Sequence, residues 1–131
     1  MLRDDLHWRG FWLACGLALL VITLVYALRP MPEFPFTFTW FDKFLHAGAF
    51  LFFMTFFSGV IERRYWIHLF FVLLAYGVLI ELLQGQVPNR QADVADAAAD
   101  LVGLFLGVGL ARIGMSDWCR RAERLLRTNG G

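Results

Sequence analysis

The chain has 131 residues, is 59% hydrophobic and carries a formal net charge of +1. A globule of that size has too little interior for so many large apolar side chains, which excludes an ordinary soluble domain and makes the bilayer the expected solvent. A balance so near neutrality gives no basis for nucleic-acid binding. Cys15, in an apolar run, and Cys119, in a basic tail, do not make a disulfide framework and read as free thiols.

The first element is the uncharged stretch 11–28, long enough to cross the roughly 30 Å hydrocarbon core with modest tilt. It exceeds a usual signal-peptide h-region, and Ala27-Leu28-Arg29-Pro30 is a poor cleavage site, so a retained helix is expected. Prolines 30, 32 and 35 then predict an extended connection. Segments 41–61 and 65–84 follow, separated only by Glu62-Arg63-Arg64, which predicts a tight antiparallel helical hairpin. A turn at 85–90, with Pro88 and Asn89, leads to a fourth segment at 93–113. The expected fold is all-α: a polytopic four-transmembrane-helix bundle over residues 1–115. Residues 116–131 form a basic cytoplasmic tail, with Arg120, Arg121, Arg124 and Arg127 on an amphipathic helix suited to the membrane surface.

Four spans place Arg3, Arg9, Arg63, Arg64, Arg112 and the four tail arginines on one side, and Arg29, Lys43 and Arg90 on the other. The positive-inside rule then puts both termini in the cytoplasm. Trp8, Trp12, Trp40, Trp66 and Trp118 fall at segment ends, as an interfacial aromatic belt requires.

The fourth segment tests this scheme, because it holds Asp96 and Asp100. Nine apolar residues from Val94 to Ile113 favour insertion by about 3–5 kcal/mol, whereas two aspartates at mid-membrane cost about 5–7 kcal/mol. Asp93 and Asp96 can stay near the surface. Asp100, about 10 Å deeper than Asp93, must face the bundle interior or a wet cavity. Positions 93, 96, 100, 103 and 107 share one helical face, on which Gly103 and Gly107 form a small-residue packing step.

Three polar clusters therefore converge at one end of the bundle: Asp42-Lys43-x-x-His46, Glu81-x-x-Gln84, and Arg90 with Asp93, Asp96 and Asp100. With the termini inside, that end is the outer one. As an outward-facing ligand site, Arg90 would grip a phosphate or carboxylate, while His46 and Glu81 would move protons. The alternative is an internal network in which Arg90 neutralises Asp93 or Glu81 and Lys43 neutralises a second acid. His46, Glu81, Asp93 and Asp96 are acceptable metal ligands, but they lack diagnostic spacing, so neither a metal nor another cofactor is expected. His7 and His68 read as interfacial, Ser58 lacks a nucleophile's partner, and the phenylalanines at 50, 52, 53, 56 and 57 read as lipid or packing surface.

The ordered set Asp42-Lys43-x-x-His46-x-x-x-Phe50, Glu81-Leu82-Leu83-Gln84, Pro88-x-Arg90, Asp93-x-x-Asp96 and Gly103-x-x-x-Gly107 resembles the VanZ-like family. It covers 42–107, half of the chain. The resemblance implies a small bacterial inner-membrane protein of four or more helices, in a family named for a member linked to teicoplanin resistance. It brings no accepted molecular activity. Asp100 departs from it, standing where the family pattern often has asparagine. Two functions are carried forward. One is a non-enzymatic envelope protein whose pocket binds an anionic lipid-linked or cell-wall-related ligand, with membrane lipids as further partners. The other is a membrane enzyme acting on a lipid phosphate or ester through His46 and Glu81.

Overall fold

Apolar runs in lipid must satisfy their own backbone N–H and C=O groups, which favours helices. The computed structural model, in which residues 1–30, 39–88 and 90–128 are described, has α1 (Arg9–Ala27), α2 (Thr39–Val60), α3 (Trp66–Gln84), α4 (Val94–Arg112) and α5 (Trp118–Thr128). Helices α1 to α4 are long and apolar enough to cross a membrane, so the chain is built as a multi-pass membrane protein. Their ends fall within two residues of those expected from the sequence. The proline connection, Asn89 in the fourth turn and the last three residues lie outside the described residues.

Cross-helix pairs give the topology. Tyr76 Oη donates to the Leu20 carbonyl at 2.6 Å and Gln84 Nε2 to the Ala27 carbonyl at 3.1 Å, so α1 and α3 run parallel. Lys43 meets Asp96 and His46 meets Asp100, so α2 and α4 also run parallel, in register. The most intimate pair is α2 with α4, not the hairpin of α2 with α3. The physical reason is side-chain size. A Cβ at Gly103 would strike the backbone of Ala47, and one at Gly107 would lie 2.6 Å from Met54 Cβ, so bare backbone lets α4 close onto α2. Helix α3 instead buries Trp66, Leu69, Phe70, Leu73 and Ile80.

Phe50, Phe53, Met54 and Phe57 of α2 make the core with Leu73 and Leu104. The aromatic cluster expected from the sequence thus splits by face: Phe50, Phe53 and Phe57 are buried, while Phe52 is exposed. Helix α1 is peripheral and buries only Gly16, whose missing side chain accepts the Phe56 and Phe57 rings.

The N-terminal segment and α5 meet at the end of the bundle opposite the acidic helix ends. Leu2 bridges Ile61, and Arg3 Nη1 donates to the Ser116 carbonyl at 2.9 Å. Gly114, at φ 108°, takes the left-handed turn that sends the chain from α4 towards α5. Helix α5 buries Cys119 and Glu123 and leaves the four tail arginines exposed. It forms where the sequence placed an amphipathic helix, with one face docked on the N-terminal segment. The tryptophans do more than line an interface: Trp12 donates to Glu123, Trp66 to the Ile61 carbonyl and Trp118 to the Phe56 carbonyl.

Candidate functional site

The first turns of α2 carry Asp42, Lys43 and His46, the last turn of α3 carries Glu81 and Gln84, and α4 opens with Asp93, Asp96 and Asp100. Asp93 fixes the start of α4. Its Oδ1 accepts the Ala95 N–H at 2.8 Å, an N-cap bond. Its own N–H donates to Glu81 Oε2 at 2.9 Å, which ties α4 to the end of α3.

Lys43 Nζ donates to Asp93 Oδ2 at 2.7 Å and to Asp96 Oδ1 at 2.9 Å. One turn further in, His46 Nδ1 and Asp100 Oδ1 are 2.8 Å apart. The other ring nitrogen, Nε2, faces Glu81 Oε1 at 3.7 Å and Asp96 Oδ2 at 4.0 Å. These last two separations exceed hydrogen-bond length. Asp42 completes the group, with ligand-type atoms of Asp42, His46 and Asp96 all within 4.8 Å of one another.

Burial deepens along the cluster. Asp42, Lys43, His46 and Asp93 are half-buried, while Glu81, Asp96 and Asp100 are buried. Asp100 is 1% exposed and points inward, as the insertion arithmetic required. Two buried oxygens, Glu81 Oε1 and Asp100 Oδ2, have no hydrogen-bond partner among the described residues. The space for Asp100 comes from Gly77 on α3, where a Cβ would lie 2.5 Å from Asp100 Oδ2.

Seven of the nine predicted ligand residues thus come together, and two do not. Gln84 turns away from the acids and spends its amide on the Ala27 carbonyl, holding α1 against α3. Arg90 Nε donates to the Arg29 carbonyl at 3.0 Å, and no ion pair joins Arg90 to an acid among the described residues. Lys43 therefore takes the place expected of Arg90 at Asp93 and meets Asp96 as its second acid, and among the described residues no lysine or arginine pairs with Glu81. Asp93 already serves Lys43 with one oxygen and the helix cap with the other, and Glu81 Oε2 holds a backbone N–H.

Sequence reasoning missed Gly77 and Glu123. A lone glycine inside an apolar helix is a signal of close approach. Glu123, the only acid in α5, accepts the His7 N–H at 2.8 Å, the Trp8 N–H at 2.9 Å and the Trp12 indole N–H at 3.0 Å. It supplies from a distant element the carboxylate that the α1 N-terminus lacks locally. Burial pushes this carboxyl up, but the three donors outweigh it and hold it below the ordinary 4.5.

Compared with known proteins, the chain matches no family model, no curated protein and no solved structure.

Proposed function

We propose that the chain is a VanZ-like protein of a bacterial inner membrane, with both termini cytoplasmic and its polar cluster opening to the outer side. There the cluster takes the head of an anionic lipid-linked or cell-envelope ligand and so affects susceptibility to glycopeptide antibiotics of the teicoplanin type. The observation that carries this reading is the convergence of Lys43, His46, Glu81, Asp93, Asp96 and Asp100 at one end of a bundle of four apolar helices. So many ionisable groups exceed what locking two helices requires. Arg90 lies in the turn between α3 and α4, apart from the cluster's acids, and its bond to the Arg29 carbonyl uses one of five N–H donors, leaving the fork's terminal nitrogens for an anion.

The test is mass spectrometry of lipids that co-purify with the protein in mild detergent, alongside glycopeptide susceptibility of cells making it. Arg90→Ala is expected to lower retention of an anionic lipid-linked species and to shift susceptibility. An unchanged lipid profile together with unchanged susceptibility rejects the reading.

A second reading, a membrane hydrolase or transferase acting on a lipid phosphate or ester, is favoured by the His46–Asp100 pair. A carboxylate on Nδ1 leaves Nε2 as the working nitrogen, the arrangement a general base needs. Turnover of a lipid-linked phosphate or ester that disappears in His46→Gln would favour it over binding alone. Purified protein without turnover on such substrates, with or without divalent metal, removes it.

A further inference from the structure

We infer that the cluster binds a divalent cation through His46 Nε2, Asp42, Asp96 Oδ2 and Glu81 Oε1, with Asp100 as the positioning carboxylate behind the histidine. The sequence argued against a metal because His46, Glu81, Asp93 and Asp96 lack diagnostic local spacing on their separate segments. The fold removes that objection by bringing the segments together.

Four independent features point the same way. Nδ1 of His46 is occupied by Asp100 at 2.8 Å, which turns the lone pair of Nε2 towards the acids; this is the carboxylate–histidine arrangement that orients metal ligands. Nε2 sits 3.7 Å from Glu81 Oε1 and 4.0 Å from Asp96 Oδ2. Donors about 2.0–2.2 Å from a shared tetrahedral ion lie roughly 3.3–3.6 Å apart, so Nε2 is already near that spacing from both carboxylates. The Asp42, His46 and Asp96 group, within 4.8 Å, would contract by about an ångström and draw Glu81 in around an ion. Glu81 Oε1, on a side chain 8% exposed that faces the imidazole, has no hydrogen-bond partner among the described residues. Last, among the described residues the only lysine or arginine paired with the carboxyl groups of Asp42, Glu81, Asp93, Asp96 and Asp100 is Lys43, which meets Asp93 and Asp96. Lys43 reaches Asp93 and Asp96 Oδ1 and leaves Asp96 Oδ2 turned towards His46.

One imidazole with carboxylates and no thiolate suits a borderline or harder first-row ion such as Zn²⁺ or Mn²⁺. A bound dication would also present positive charge at an acid-rich site, which is what an anionic headgroup would need there. To that extent the inference deepens the proposed function, but cation binding itself requires no headgroup.

The experiment is titration of chelator-stripped, full-length protein in detergent with Co²⁺ as an optical probe, followed by Zn²⁺ competition and metal analysis after dialysis. One Co²⁺ per chain, displaced by Zn²⁺, is expected. His46→Ala should abolish the signal. Glu81→Gln, nearly isosteric, should weaken binding at least about tenfold, and Asp100→Asn about ten- to a hundredfold. Asp4→Asn, an exposed acid at the other end, should bind like the parent. Absence of stoichiometric metal from monodisperse, helical parent protein overturns the inference, as does parent-like affinity in Glu81→Gln. No lipid enters the titration, so metal binding with an unchanged lipid profile in Arg90→Ala would reject only the headgroup reading.

Discussion

At the scale of single residues, the decisive positions are those where a small or charged side chain has no substitute. Gly77 is one. An alanine there would place its Cβ against Asp100 Oδ2, so Gly77→Ala must displace Asp100, or the α3 backbone, from its present place. We expect a loss of about 1–3 kcal/mol, read as a lower unfolding midpoint in detergent. Glu123 is another. Glu123→Ala strips three N–H donors of their acceptor and should cost about 1–3 kcal/mol for each donor left buried without water. The pH dependence follows from its lowered acidity. Its contribution is complete above the ordinary value of 4.5 and declines as pH falls through the lower folded-state value. Acid should therefore loosen the terminal region of the parent and leave Glu123→Ala less affected, as hydrogen exchange at Trp8 and Trp12 would report. The need to bury Asp100 was legible in the sequence, from its depth and cost of insertion. The role of Glu123 was not, because its partners lie more than a hundred residues away.

At the scale of elements, the contact of α2 with α4 holds the site together. Lys43, His46, Ala47 and Met54 face Asp96, Asp100, Gly103 and Gly107 in order, so one parallel register sets both the packing and the polar pairs. Gly103→Leu should force the helices apart at the Ala47 backbone. We predict a large loss of thermal stability and, in any folded fraction, weaker coupling of His46 to Asp100, visible as a changed imidazole signal by NMR. Helix α5 makes a milder prediction. Burial, then the nearby Glu123, pushes the Cys119 thiol up to about 12, so it should resist alkylation in the native protein and react once α5 is released. The four long helices were legible because each is a long apolar run bounded by charge or turn residues. Their partners were not. Adjacency along the chain favoured α2 with α3, whereas small side chains favoured α2 with α4.

For the whole molecule, the N-terminal segment, the turn at Ile61–Glu62 and α5 gather at one end, and the acid–imidazole cluster stands at the other. The arginine count predicts that the terminal end is cytoplasmic, which reporter fusions check. Cytoplasmic reporters should be active at either terminus, and a reporter that needs export should work only after α1 or α3. An active exported reporter at the full-length C-terminus would reverse the orientation. The sequence by itself determined that the chain enters a membrane, where its helices begin and end, and that Asp100 must point inward. Those conclusions follow from local hydropathy and helix geometry. Only the tertiary structure decided that Lys43 rather than Arg90 meets the acids, that Gln84 serves α1, and that His46 is held by Asp100 with Glu81 opposite. Ion pairs across helices depend on interhelical register and distance, and here both are set by glycines that let α4 settle on α2.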